Sequence, residues 1–502
     1  MRTLGAILLA SVAGLAVASG AQAADLPTTK APPAPPPPPS CYASFYSWLD
    51  STAAECPLSY MGITFYGQID VGFGYQTGAT QFNGSFPNGV QELVSKTSNG
   101  AQWQWVPNGL SQSNVGIKLK EQVIPNWFIV GDANFGFDPY SLEAANGPKS
   151  LVDNNFYPST NQNLISANGD SSRAGQWDNS RAYIGVSNPT FGTLTFGRQY
   201  ALTNELASAY DPFGGAYAFS LIGTSSTVVA GTGETETARY NTSFEYKVAY
   251  NGFRAAAIAQ VGGWDQGNGA NGAYQIDLGA DYAGFSIDAI YAYAMDAVKL
   301  GTTGGVPAAP LAPDTLVATL ADVNAGVVGV KYKWQGLTLY GGYEYAQLSS
   351  PSNLTPAGSA NGIPIGNVYT LNGGYPAVIH SNAFVNPDDL QVLWIGAKYA
   401  ILSNLDAAIG YYHEWQSDYD TSPATDCIPN TTAAAPGATP QGTAKSDCAG
   451  TTDVVSGMLD WRPVKRVDVY GGVMYSAVSG GMATGFIKSD NTAFTAGLRV
   501  SF

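Results

Sequence analysis

Phe494-Thr-Ala-Gly-Leu-Arg-Val-Ser-Phe502 alternates strictly along its length. Phe494, Ala496, Leu498, Val500 and Phe502 share one face, and Thr495, Gly497, Arg499 and Ser501 the other, because strand side chains alternate with period two. One apolar face backed by an arginine suits a barrel wall between lipid and water. It also suits a half-buried edge strand of a soluble sheet, and this stretch alone does not choose. If the wall reading holds, the terminal aromatic Phe502 is expected to close a barrel against its first strand.

The other end of the chain supplies a compartment. Met1-Arg2, the largely apolar run from Leu4 to Ala18 and then Ala21-Gln22-Ala23 read as a secretory signal with its cleavage site, residues 1–23. Removing it leaves 502 − 23 = 479 residues and takes the net charge from −15 to −16. No later run reaches the ~18 apolar residues of a membrane helix, but barrel strands of ~10 alternating residues escape that test. Charged residues make up 12 % of the chain, half the ~25 % of ordinary globular proteins, which favours a wall with one lipid face. Net acidity argues against a nucleic-acid partner. No cofactor or metal site is expected.

Residues 24–61 form an extension with its own character. Pro32 to Pro39 is an extended polyproline spacer with no core-forming power. Four cysteines in an exported chain point to disulfides. Local pairing, Cys41 with Cys56 and Cys427 with Cys448, is favoured by loop-closure cost, although three connectivities are possible.

Residues 62–502 repeat one theme. Alternating runs occur near 62–77, 112–123, 126–137, 179–187, 193–200, 238–250, 253–262, 273–283, 285–295, 323–334, 337–347, 390–400, 405–415, 451–461, 466–476 and 491–502. Sixteen is an even number, as a closed bacterial barrel requires. Tight connections such as Asn251-Gly252 and Ala283-Gly284 alternate with long stretches rich in Gly, Asn, Ser and Pro. Short turns on one side and long loops on the other are the asymmetry of outer-membrane barrels. The expected fold is therefore all-β, a 16-stranded antiparallel transmembrane barrel.

Strand phase then sorts the charges. With Val115, Ile117 and Leu119 toward lipid, Lys118 and Lys120 face the lumen. Ala182, Ile184 and Val186 leave Arg181 inside; Tyr240, Phe244 and Tyr246 leave Arg239, Glu245 and Lys247 inside. The opposite phase would put several cations in lipid at ~2–4 kcal/mol each near the midplane. Arg198 shares parity with Leu194 and Phe196, so it lies at the outer rim or follows a bulge. Tyr75, Trp127, Tyr246, Tyr282, Trp334, Tyr345, Tyr399, Trp415 and Trp461 recur at strand ends, where amphipathic rings suit the two interfaces.

These residues resemble the general bacterial porins of the Gram-negative outer membrane. Gly62-Ile-Thr-Phe-Tyr-Gly-Gln-Ile-Asp-Val-Gly-Phe73 is similar to that family's first strand, and Arg181 to Tyr200 to its fourth and fifth. Lys465-Arg-Val-Asp-Val-Tyr470 resembles the last periplasmic turn, and Gly497 to Phe502 the closing strand. The extension is more like that of alphaproteobacterial porins. The resemblance implies a homotrimer in outer-membrane lipid and lipopolysaccharide, forming water-filled channels for ions and small hydrophilic solutes. It implies that the third loop, Ala201 to Thr237, folds inward, with Asp211-Pro-Phe-Gly-Gly215 as its turn. Glu205, Asp211, Glu234 and Glu236 are then the expected constriction acids, facing Lys118, Lys120, Arg181 and Arg239.

Other functions fit less well. Only His380 and His413 exist, and neither joins a nucleophile and an acid in a catalytic arrangement, so no enzyme is expected. A substrate-specific sugar or anion porin remains an alternative. So does a plugged barrel acting as an adhesin or structural anchor.

Overall fold

The computed structural model describes residues 40–78, 100–142, 181–222, 238–262, 270–300, 316–352, 386–419, 448–483 and 488–502, with a few shorter pieces between them. Sixteen strands make the wall. Strands 1–5 are Ile63–Gln76, Asn114–Ile124, Trp127–Gly136, Ala182–Asn188 and Gly192–Tyr200. Strands 6–10 are Arg239–Tyr250, Phe253–Gln260, Gly272–Tyr282, Phe285–Leu300 and Leu316–Trp334. Strands 11–16 are Leu337–Ser349, Asp388–Leu402, Leu405–Gln416, Gly450–Val464, Val467–Gly480 and Asp490–Ser501.

Each strand pairs antiparallel with its chain neighbours, and strand 16 returns to strand 1, from Gln68 opposite Ser501 to Gln76 opposite Ala493. Closure leaves no open edge, which a membrane demands because lipid satisfies no backbone group. The turns that sequence marks as tight are tight. Asn251 and Gly252 take φ of 49° and 83°, and Ala283 and Gly284 take 49° and 85°, the left-handed pairs that match the twist of two-residue hairpins.

The alternation of strand 16 is observed as expected, with Phe494 and Leu498 exposed on the outer face. Phe502 exchanges backbone hydrogen bonds with Gly67, at 2.9 and 3.1 Å, and its ring stacks on Phe65 at 5.6 Å. Trp127, Tyr246, Tyr282, Trp334, Tyr399 and Trp461 are exposed outward.

One expected phase is corrected. Tyr240 points inward and is buried, because two residues of strand 6, Asn241 and Thr242, lie opposite the single Arg198 of strand 5. Such a bulge reverses the face of everything beyond it. It also accounts for Arg198, whose guanidinium donates to Asn241.

Strand 1 has two partners on its other edge. Residues 63–68 pair with strand 2, and residues 71–76 pair with a separate short strand, Gln102–Pro107. Residues 108–113, between the two, turn into the barrel around Asp70. That carboxylate accepts the amides of Leu110 and Ser111 at 2.8 and 3.0 Å and the Tyr470 hydroxyl at 2.7 Å. A buried acid with three donors organises an otherwise unsupported backbone.

Before strand 1, the Cys41–Cys56 disulfide closes a ring containing helix α1, Phe45–Leu49, and the short strand Leu58–Tyr60 follows. Cys448 is buried and disulfide-bonded; Cys427, its expected partner, lies outside the described residues. Since Cys41, Cys56 and Cys448 all lie off the wall strands, full reduction is expected to free four thiols while β-sheet circular dichroism is retained. Thiol titration alongside the spectrum checks this; a collapse of the sheet signal would contradict it.

Candidate pore constriction

The described residues that follow strand 5, 201–222, stay within the barrel. At Ala201 the chain turns inward into helix α2, Leu202–Tyr210, whose buried residues Leu202, Thr203, Leu206, Ala207 and Tyr210 recur at helical spacing. That face packs on strands 7 to 11. Gln275 of strand 8 accepts the Thr203 amide and donates to its hydroxyl, each at 3.1 Å. The Tyr210 hydroxyl donates to Asp288 at 2.7 Å, and Trp394 Nε1 donates to the Tyr210 carbonyl at 3.0 Å.

The turn Asp211-Pro-Phe-Gly-Gly215 comes next. Asp211 is buried; its Oδ2 accepts the amides of Phe213 at 3.1 Å and Gly215 at 2.7 Å, while Oδ1 accepts the Tyr412 hydroxyl. Gly214 and Gly215 take φ of 67° and 75°, which an L side chain resists. Burial pushes the Asp211 carboxyl up to about 6, against the opposing pull of the Tyr412 hydroxyl and the turn amides. Beyond the turn, the Ala218 amide donates to Gly109 at 2.9 Å, and Phe219 meets Tyr470 edge-on at 6.2 Å. The loop thus follows the inner wall from strand 7 round to strand 15 and the inturned segment beside strand 1.

Room for it comes from glycines at inward positions. A Cβ on Gly329 would stand 2.6 Å from the Tyr210 ring, one on Gly396 2.5 Å from Pro212, one on Gly410 2.7 Å from Phe213 and one on Gly472 2.8 Å from Phe219. Sequence reasoning missed these four. Their signal was legible as glycine at the inward phase of strands 10, 12, 13 and 15, but nothing local says what fills the space.

The other side of the ring carries strands 2 to 6. Strand 2 lies opposite strand 10 in a ring of sixteen, so helix α2 faces it across the lumen. Lys118 sits over the Tyr66 ring at 4.3 Å and Lys120 over Phe128 at 5.3 Å. Neither has a carboxylate partner among the described residues. Arg181 pairs with Asp132 at 2.9 Å, beside the Tyr66 hydroxyl. Glu205, on the exposed face of α2, binds Lys247 of strand 6 at 2.6 Å, and Lys247 also meets Glu245 at 2.8 Å.

The expected site residues therefore separate. Glu205 lies on the exposed face of α2 against Lys247, while Lys118 and Lys120 lie on strand 2 and Arg181 stands at the start of strand 4. Asp211 lies within the loop's own packing, away from water. Arg239 is buried with its guanidinium 5.1 Å from the Tyr200 ring. Glu236 is buried ahead of strand 6, and Glu234 lies outside the described residues.

A closed sixteen-stranded barrel with an inward third loop is the architecture of a diffusion channel. The sequence matches the model of the Gram-negative porin family over residues 9–481. This chain belongs to that family. Among solved structures it is similar to the anion-selective porin from Comamonas acidovorans, with TM-score 0.52 and 12 % identity over 88 % of this chain and 99 % of that one. It is also similar to the outer membrane protein OmpT of Vibrio cholerae, with TM-score 0.50 and 12 % identity over 89 % and 100 % of the two chains. A search among curated proteins finds no match. The porin resides in the Gram-negative outer membrane and forms a channel for passive diffusion of solutes.

Proposed function

We propose that this porin is a general diffusion channel for ions and small hydrophilic solutes. Its passage runs between helix α2 and the inner faces of strands 2 to 6, and its ion preference is set by Glu205 opposing Lys118, Lys120 and Arg181. The supporting observation is the disposition of the third loop, whose described residues pack on strands 7 to 13 and on strand 15, the side of the ring away from strands 2 to 5. A carboxylate on one side of a narrow aqueous gap and ammonium groups on the other create a transverse field, and charges so placed govern which ions enter. Permeation is the whole of its activity in this reading, and the channel works as a homotrimer embedded in lipid and lipopolysaccharide.

Charge removal on the two sides should act with opposite sign. Glu205→Gln frees Lys247 from one of its two carboxylate partners and shifts preference toward anions. Lys118→Gln with Lys120→Gln shifts it toward cations. The change in permeability ratio should be several-fold at low salt and fade near 1 M, where the screening length falls to ~3 Å. Reversal potentials across a salt gradient measure both. Shifts of the same sign, or none at low salt, would place these groups away from the ion path.

A further inference from the structure

The ring closed by Cys41 and Cys56 holds a guanidinium from the far end of the chain. Arg466 lies in the turn between strands 14 and 15 and is buried. Its Nε donates to the Trp48 carbonyl at 2.9 Å, and its Nη2 donates to the carbonyls of Thr52 and Cys56 at 3.1 and 2.7 Å. The guanidinium centre stands 4.3 Å above the Trp48 ring, and the Arg466 amide donates to Leu49 at 3.1 Å. All four acceptors belong to residues within the ring. Beside them Lys465 pairs with Glu55 at 3.0 Å. The Thr52 amide and Lys465 hold that carboxyl at about 2, so it stays ionised at neutral pH.

The same segment grips the other side of the barrel's closure. Leu58, Ser59 and Tyr60 pair antiparallel with Phe65, Thr64 and Ile63 at the start of strand 1. The next backbone pair along that edge is Gly67 with Phe502. The extension therefore covers the part of strand 1 that strand 16 does not reach. The Arg466 carbonyl in turn accepts the Ser501 amide at 2.9 Å, so the last residues of strand 16 lie between the two grips.

We propose that Cys41 to Met61 is a clasp on the closing seam of the barrel, and that its disulfide sets the clasp. The seam joins strand 1 to the C-terminal strands, contacts about four hundred residues apart, which ordering must bring together against loop-closure entropy. A ring with carbonyls pre-aimed at one arginine, and a strand already docked on strand 1, fixes both partners in register. Without the disulfide the ring is an irregular segment of some fifteen residues, and the carbonyl cage loses its constraint. A dithiol reductant opens it by exchange, becoming a disulfide itself and leaving thiols at Cys41 and Cys56. The clasp thus forms only in an oxidising compartment, and the seam responds to the redox state around it.

Hydrogen exchange by mass spectrometry on the folded protein in detergent tests this. Peptides covering residues 63–76 and 490–502 report the seam, and residues 272–290 serve as the remote control. Cys41→Ser with Cys56→Ser, Arg466→Ala, and dithiothreitol added to the folded wild type should each speed seam exchange by about tenfold or more, leaving the control unchanged. Reduction of folded protein needs no refolding, and the double serine variant separates this disulfide from that of Cys448. Combining Arg466→Ala with the serine pair should add little, since both act through one contact. Unchanged seam exchange, equal acceleration of the control peptides, or fully additive effects would each overturn the proposal.

Discussion

Asp211→Ala will release the third loop from the inner wall and give larger, noisier single-channel openings. Three donors converge on this carboxylate: the Phe213 amide, the Gly215 amide and the Tyr412 hydroxyl. All are buried, so alanine leaves them without an acceptor in a site too closed for easy hydration. Each orphaned donor costs about 1–3 kcal/mol, and together they put roughly 3–5 kcal/mol against the docked loop. The barrel itself does not depend on the turn, so its thermal transition should move far less than its conductance. Asp211→Asn keeps an acceptor oxygen and should lie between the two.

The acid's pH behaviour gives a second measure. Burial raises the Asp211 carboxyl from 3.8 to about 6 in the docked loop, so the docked form binds its proton more tightly than the released form does. Proton linkage then makes docking strongest below about pH 4 and progressively weaker as pH rises through about 6. Loop-opening flicker should accordingly be rarer at pH 4 than at pH 7.5 in wild type, and this dependence should vanish in Asp211→Asn. Identical conductance of Asp211→Ala and wild type would mean that the loop is held by its apolar contacts alone.

Deleting Phe502 will sharply lower the yield of folded, heat-resistant porin while leaving the conductance of surviving channels close to normal. The residue contributes two backbone hydrogen bonds with Gly67 and a stacked contact with Phe65. At about 1 kcal/mol per hydrogen bond and about 0.5–1.5 for the aromatic pair, the loss is roughly 3 kcal/mol, or about a hundredfold in the folded-to-unfolded ratio. Its position on the outer face, away from the passage, is why permeation is spared. Gly67→Val probes the same contact from the other side. A Cβ there would stand 2.5 Å from Phe502 Cζ and 2.5 Å from the Asn114 carbonyl oxygen of strand 2, so the ring must leave its place and the pairing of strands 1 and 2 must also shift. The valine variant should therefore fall below wild type when heat-resistant protein in outer-membrane fractions is quantified. Normal amounts from the deletion would remove Phe502 from barrel closure.

Period-two alternation and turn chemistry determined the wall without help from the rest of the molecule. A strand's phase is a local property, and the cost of a cation in lipid makes only one phase tolerable. That is why sixteen strands, their tight turns and the inward side of Lys118, Lys120, Arg181, Glu245 and Lys247 were legible. The reversal at Tyr240 was not. Arg198 carried the hint of a bulge, but which strand holds the extra residue depends on the pairing partner, not on either sequence alone.

Side chains inside the lumen were decided by tertiary structure. Glu205 and Asp211 look alike as loop acids, six residues apart in one segment. One ends on the open face of helix α2 against Lys247, and the other is sealed in a turn by a tyrosine two hundred residues away. Composition and spacing are blind to that difference, because burial depends on which wall the loop meets, and the wall receives it at glycines scattered from Gly329 to Gly472. The clasp is of the same kind. Cysteine spacing announced a local ring, but Arg466 could enter it only because closing the barrel brings the last turn beside the first strand.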